Sequence, residues 1–244
     1  MLRSDPNGAV VERRPVLTKV IVDFLPAAIA IAISPVPIVA IVLVLGTRRA
    51  RSSGSAFALG WVAGLAIVSI VVVRLLGGAD NPGSGSAMAA YWLKITIGAV
   101  FWLMAVWQWR KRPKDGEPPA TPYWMTRLDT VTPAKALGLG TALSGANPKN
   151  LALTLAAAAS IAQAGIGLTD TAIAVAVFVA IGSLTVVGAV VLYLIATDRA
   201  AVPLAMVKGF MLKHNTVIMM VVLLLLGAKF LNAGLAGLPG FISR

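Results

Sequence analysis

The stretch 136–164, ALGLGTALSGANPKNLALTLAAAASIAQA, is small and apolar except for Asn147-Pro148-Lys149-Asn150 near its middle. Proline removes a backbone donor and interrupts a helix. A cation and two amides at that depth have no reason to be in lipid unless they face a cavity, a headgroup or a substrate. The segment reads as a membrane span broken at a functional point.

The chain around it has the same character. Of its 244 residues, 58% are hydrophobic and 12% charged, with a mean hydropathy of +0.87, far from an ordinary soluble domain. A bilayer core of about 30 Å needs roughly 20 residues of helix. Apolar runs of that order fall at approximately 21–46, 56–76, 89–109, 137–163, 170–195 and 215–235. They predict an all-α integral membrane protein with six transmembrane helices. The polar remainder is a tail at 1–20, a basic, Pro-rich connector at 110–136, a segment at 196–214 and a C-terminal tail at 236–244. Tyr91 and Trp92 at one end of the third run, and Trp107 and Trp109 at the other, form aromatic belts at a separation matching the hydrocarbon thickness.

Basic residues alternate between loops. Arg48, Arg49 and Arg51 follow the first run, Arg110 through Lys135 the third, and Arg199, Lys208 and Lys213 the fifth, whereas 77–88 and 165–169 hold none. Because Lys and Arg in short loops stay cytoplasmic, this pattern places the protein in the inner (plasma) membrane as a multi-pass chain with both termini outside the cytoplasm. The basic tail (Arg3, Arg13, Arg14, Lys19) opposes that placement. A first span that re-enters at Pro35 and Pro37 would satisfy it. The apolar run continues past Pro37 without a cleavage site, so the chain is read as uncleaved.

Each half opens with a proline-broken span, at Pro35/Pro37 and at Pro148, and continues with two more spans. Three being odd, the second unit enters from the opposite side, which is a 3+3 inverted repeat of 21–109 and 137–235. Ser34, Pro35 and Pro37 would then meet Asn147, Pro148, Lys149 and Asn150 near the bilayer midplane. Freed carbonyls there suit polar ligand groups, and Lys149 suits an anion. Ala56, Gly60 and Gly64 leave room on the second span for a close neighbour. Asp23, the one acid near a span interior, is the candidate coupling group, able to pair with a base or carry a proton. Arg74, Lys94 and Lys229 are expected to snorkel. The stretch from Arg199 to Asn215 fits either an interfacial amphipathic helix or a juxtamembrane loop.

Much is excluded. No cysteine is present and histidine occurs once, as His214, so a metal cluster, a disulfide and a Cys nucleophile are not expected. There is no Walker A string, no intramembrane carboxylate pair and no Ser with a nearby His. The chain is expected to be neither an enzyme nor cofactor-dependent. Its net charge of +12 is divided among loops, which suits anionic membrane lipids and not nucleic acid.

The strings Ser34-Pro35-Val36-Pro37, Leu45-Gly46-Thr47-Arg48-Arg49-Ala50-Arg51, Ala56-Phe57-Ala58-Leu59-Gly60-Trp61 and Asn147-Pro148-Lys149-Asn150-Leu151 resemble the actinobacterial addressing-protein family. This is the family of the sulfolipid and glycopeptidolipid addressing proteins, within the LysE superfamily of exporters. The resemblance covers roughly 20–235, and the N-terminal tail departs from it. It implies a small six-span protein that helps move a lipid or glycolipid toward the cell surface, alongside a larger lipid transporter. A homodimer is a further candidate assembly. Two alternatives stand beside this reading: a secondary exporter of amino acids or other small polar solutes, and a structural partner of a lipid transporter, for which Lys149 would be dispensable. The absence of acids from the middle of the spans disfavours the first.

Overall fold

A computed structural model of the chain describes residues 13–76, 85–110 and 131–236, and every regular element among them is helical. The elements are α1 (Arg13–Ala32), α2 (Pro35–Leu45), α3 (Ala50–Leu76), α4 (Gly85–Arg110), α5 (Pro133–Thr141), a π-helical turn (Ala142–Ala146), α6 (Pro148–Ala162) and α7 (Leu168–Leu235). Among the described residues, Ala50–Leu76, Leu168–Ala196 and Val217–Leu235 are each long and apolar enough to cross a membrane. The pair α1–α2, bent by 46°, makes a fourth if it counts as one span. The chain is a membrane protein.

Boundaries differ from the sequence reading in two places, and a third segment takes one of the two forms left open for it. The N-terminal tail gives way to helix at Arg13 instead of near 21, because Pro15 falls in the first turn, where its missing N–H costs nothing. Of the connector at 110–136, residues 111–130 lie outside the described residues, and α5 begins inside its far end with Thr132 as N-cap and Pro133 in the first turn. The segment 196–214 is helical, its Val202, Met206 and Phe210 exposed. His214 lies beside Phe210, ring centroids 4.4 Å apart.

Although α7 runs without a loop from Leu168 to Leu235, it is not one rod. Thr185 donates a hydrogen bond to the carbonyl of Ala32, and Lys229 donates one to the carbonyl of Asp23. Those acceptors are about 14 Å apart along α1, whereas an unbroken helix would set Thr185 and Lys229 about 66 Å apart. The chain therefore doubles back between them. Ala196, at φ −122° and ψ 33°, leaves helical geometry, and Pro203 follows it. The two arms of α7 are separate helices, each with a stretch long and apolar enough to cross a membrane.

Lipid tails are as apolar as leucine, so membrane helices associate through close packing and interhelical hydrogen bonds. The α3–α5 contact relies on this. A Cβ on Gly60 would lie 2.1 Å from the carbonyl oxygen of Leu137, and one on Gly140 would lie 2.2 Å from that of Phe57. Thr141 Oγ1 closes the seam by donating to the Gly60 carbonyl at 3.1 Å. Gly60 and Gly64 thus do what their spacing suggested, while Ala56 is only half-buried at the edge. Across the interior, Phe24 meets Phe178 edge to face at 5.7 Å, and Phe101 meets Phe230 at 6.1 Å. On α4, Trp92, Trp107 and Trp109 point outward, as an aromatic belt requires.

Candidate functional site

The first break follows from its prolines. In an unbroken helix, the carbonyls of Ala30, Ile31 and Ile33 would accept from the N–H groups of residues 34, 35 and 37. Pro35 and Pro37 have none. The Ser34 N–H shifts to the Ile31 carbonyl at 3.1 Å, which leaves the Ala30 carbonyl without a backbone donor. Ser34 is extended (φ −66°, ψ 117°), and α2 restarts with Pro35 in its first turn.

The second break has the same form. Asn147 is extended (φ −67°, ψ 121°), and α6 restarts with Pro148 in its first turn. Before it the helix widens to a π turn, the Asn147 N–H bonding the Ala142 carbonyl at 3.0 Å. The π partner of the Leu143 carbonyl would be the missing N–H of Pro148, and the Asn150 side chain supplies that donor instead, at 2.8 Å. Asn147 caps α6 by accepting from the Lys149 N–H at 3.1 Å. By conformation, Pro148 matches Pro35 and not Pro37, since each directly follows an extended residue and opens a helix.

Lys149 joins the two breaks. Its ammonium, on a residue only 3% exposed, donates to the Ala30 carbonyl at 3.1 Å, to Ser34 Oγ at 3.3 Å and to Met219 Sδ at 3.2 Å. All three donors are used, yet each acceptor is neutral and sulfur is a weak one. No acidic side chain acts on it among the described residues. Beside it, Asn150 is fully buried, and its Oδ1 has no hydrogen-bond partner. The site therefore holds an unneutralised cation and an unused acceptor at a joint between two interrupted helices.

Of the residues singled out in the sequence, Ser34 and Lys149 touch directly. Asn147 and Asn150 hold the second break open, and Pro35, Pro37 and Pro148 shape the backbone. Pro148 is exposed, while the other two prolines are buried. Asp23 stands apart, about 16 Å along α1 from Ser34. It is exposed, its carbonyl accepts from Lys229, and its carboxylate acts electrostatically on Lys94. Lys94 in turn donates to Gln163 Oε1 at 2.8 Å. Sequence reasoning missed Met219 and Thr185, which lie far along the chain from either break. Thr185 secures the Ala32 carbonyl just ahead of Ser34. The free carbonyls of α1, by contrast, were derivable from the proline positions.

Comparison with known proteins adds one match. A family model described as Sap, sulfolipid-1-addressing protein, covers residues 24–236, which includes both breaks. Neither curated proteins nor solved structures gave a match.

Proposed function

Because the chain belongs to the sulfolipid-1-addressing protein family, we propose that it is an inner-membrane transporter or transport accessory that helps export a lipid or glycolipid toward the cell surface. The observation that carries this reading is the Lys149 ammonium, buried at the joint of two broken helices with only neutral acceptors around it. Such a charge is expensive in a membrane and marks a functional point. An anionic or sugar headgroup offers better acceptors than a serine hydroxyl and a thioether, and Asn150 Oδ1 would accept from a headgroup hydroxyl. The acyl chains remain in the bilayer.

In this reading the six spans are α1–α2, α3, α4, α5–α6 with its π turn, and the two arms of α7. The 46° bend at Ser34 supports a first span that crosses: a re-entrant hairpin would turn α2 back against α1, and a bend of 46° keeps it moving forward. The matched geometry at Ser34-Pro35 and Asn147-Pro148 supports the 3+3 inverted repeat and a kinship with LysE-type exporters. The basic loops face the cytoplasm, and a larger lipid transporter is the partner the reading allows.

The test profiles surface-extractable lipids, cell-retained lipids and amino acids in the medium, for a strain lacking the gene and for strains complemented with wild type or Lys149→Met. A lipid lost from the surface, retained inside, and restored by wild type but not by Lys149→Met is the expected result. Export restored by Lys149→Met at equal protein level would remove Lys149 from the mechanism. Unchanged lipids with an amino acid trapped inside would replace the reading by a solute exporter.

A further inference from the structure

Four polar residues from four helices collect at one end of the protein, away from Lys149. Lys94 on α4 donates to Oε1 of Gln163, the C-cap residue of α6, at 2.8 Å. Lys229 on the second arm of α7 donates to the carbonyl of Asp23 on α1, and the Asp23 carboxylate acts electrostatically on Lys94. From this end, Ser34 lies about 16 Å deeper along α1 and Lys149 about 21 Å deeper along α6.

The helices that meet here are joined in two different ways. A Cβ on Gly98 of α4 would lie 2.8 Å from the Leu231 nitrogen, and one on Gly234 would lie 3.0 Å from the Ile95 nitrogen. The second arm of α7 therefore packs on α4 backbone to backbone, a seam with no slack. The helix α6 packs on α1 and α3 and touches α4 and α7 only sparingly. Across that thinner seam run two hydrogen bonds, Lys149 to Met219 at depth and Lys94 to Gln163 at the end.

Both bonds are made by the tip of a four-carbon side chain. A change of rotamer breaks such a bond, and at the exposed end Gln163 finds other partners in water or among headgroups. When bundles of helices rock against one another as rigid groups, the seam of α6 against α4 and α7 parts more readily than the glycine seam.

We infer that this seam is the exit by which a lipid headgroup leaves the Lys149 joint, and that the bond from Lys94 to Gln163 is the latch that holds it shut. A headgroup that takes the place of Met219 at the Lys149 ammonium stands at the inner end of the seam. At the outer end, an anionic oxygen is a stronger acceptor for Lys94 than the neutral amide of Gln163, so the cargo itself releases the latch as it arrives. The inference rests on the export reading for its cargo and for which end faces outward, whereas the latch is tested without transport.

The chain has no cysteine, so a single thiol at Met219→Cys reports opening at the inner end of the seam. In right-side-out cells, its rate of labelling by an anionic, membrane-impermeant methanethiosulfonate is measured on the full chain. Lys94→Met and Gln163→Leu should each speed labelling about threefold, the population shift for one interhelical hydrogen bond of average strength in a membrane. Gln163→Glu sets a carboxylate against Lys94 and should slow labelling about as much, a direction that mere loosening of the fold does not produce. With Met219 restored, the pair Lys94→Cys and Gln163→Cys is bridged by a bifunctional methanethiosulfonate. Bridging should stop the appearance of lipid at the surface, a reductant should restore it, and a monofunctional reagent on the same pair should leave it running. Labelling rates unmoved by all three substitutions overturn the latch. Export through the bridged pair, or labelling obtained only in inside-out vesicles, overturns the exit. Rates that move as expected while wild type exports no lipid support the latch and overturn the export reading.

Discussion

The ammonium of Lys149 lies 3.1 Å from the carbonyl oxygen of Ala30, 119 residues away in sequence, and that oxygen is free because Pro35 has no N–H. Returning an N–H at position 35 should undo the arrangement. In Pro35→Ala the new donor satisfies the Ile31 carbonyl, the Ser34 N–H returns to the Ala30 carbonyl, and Lys149 loses its best acceptor. The expected outcome is no gain in stability, because the donor added at position 35 only replaces the bond Lys149 gives up at Ala30 and leaves a buried ammonium short of an acceptor, with export much reduced. Full export at normal abundance would show that the free carbonyl does not matter.

Lys149→Met separates stability from function. Methionine replaces the stem closely in shape, and exchanging a buried charge for an apolar group of similar volume is often neutral or stabilising. The variant is expected to match or exceed wild type in thermal unfolding in detergent, while export is lost. Lys149→Arg keeps the charge but brings a planar fork into a cage built around a point charge, so partial function at best is expected. A Lys149→Met protein that fails to accumulate would mean that the ammonium holds α6 to α1 and does nothing else.

The two breaks and the cation between them were legible in the sequence, because proline removes a donor wherever it stands and Lys149 has no nearby loop to reach. The small-residue face at Gly60 and Gly64 was legible for the same kind of reason: a missing side chain is a local fact. What the sequence could not supply were the acceptors around Lys149. Met219 and Ser34 become neighbours only when α7 doubles back and α6 docks on α1. The helical stretch after Ala196 was ambiguous because its apolar residues fit an interfacial helix and a loop equally. The match of Pro148 with Pro35 rather than Pro37 rests on backbone angles at Ser34 and Asn147, which spacing alone does not give.

Gly138 and Gly140, two residues apart on α5, should respond oppositely to alanine. A Cβ at Gly138 meets nothing within 4 Å, whereas at Gly140 it would lie 2.2 Å from the Phe57 carbonyl oxygen. Gly138→Ala is expected to be neutral or to stabilise by up to about 1 kcal/mol through helix propensity. Gly140→Ala forces α5 away from α3 and should cost about 3 kcal/mol, the upper range for overpacking. Thermal unfolding of the two variants checks the pair. Equal behaviour would mean that α3 and α5 do not pack backbone to backbone.

Topology can be read directly, since the chain has no cysteine of its own and any introduced thiol is the only one to react. In right-side-out cells, a membrane-impermeant maleimide should label Gly167→Cys, in the turn between α6 and α7, and leave Arg48→Cys, between α2 and α3, unlabelled until the membrane is opened. The contrast follows from the positive-inside rule, because the first turn carries no basic residue and the second carries Arg48 and Arg49, with Arg51 at the start of α3. An even number of crossings separates the α2–α3 turn from the α4–α5 connector if α3 and α4 both span, so Lys135→Cys should behave like Arg48→Cys. The first span is decided by Val16→Cys near the start of α1. Labelling from outside means that α1 and α2 together cross at their 46° bend. Protection equal to that of Arg48→Cys means that the chain turns back at Ser34, which would leave five crossings and break the symmetry of the two halves.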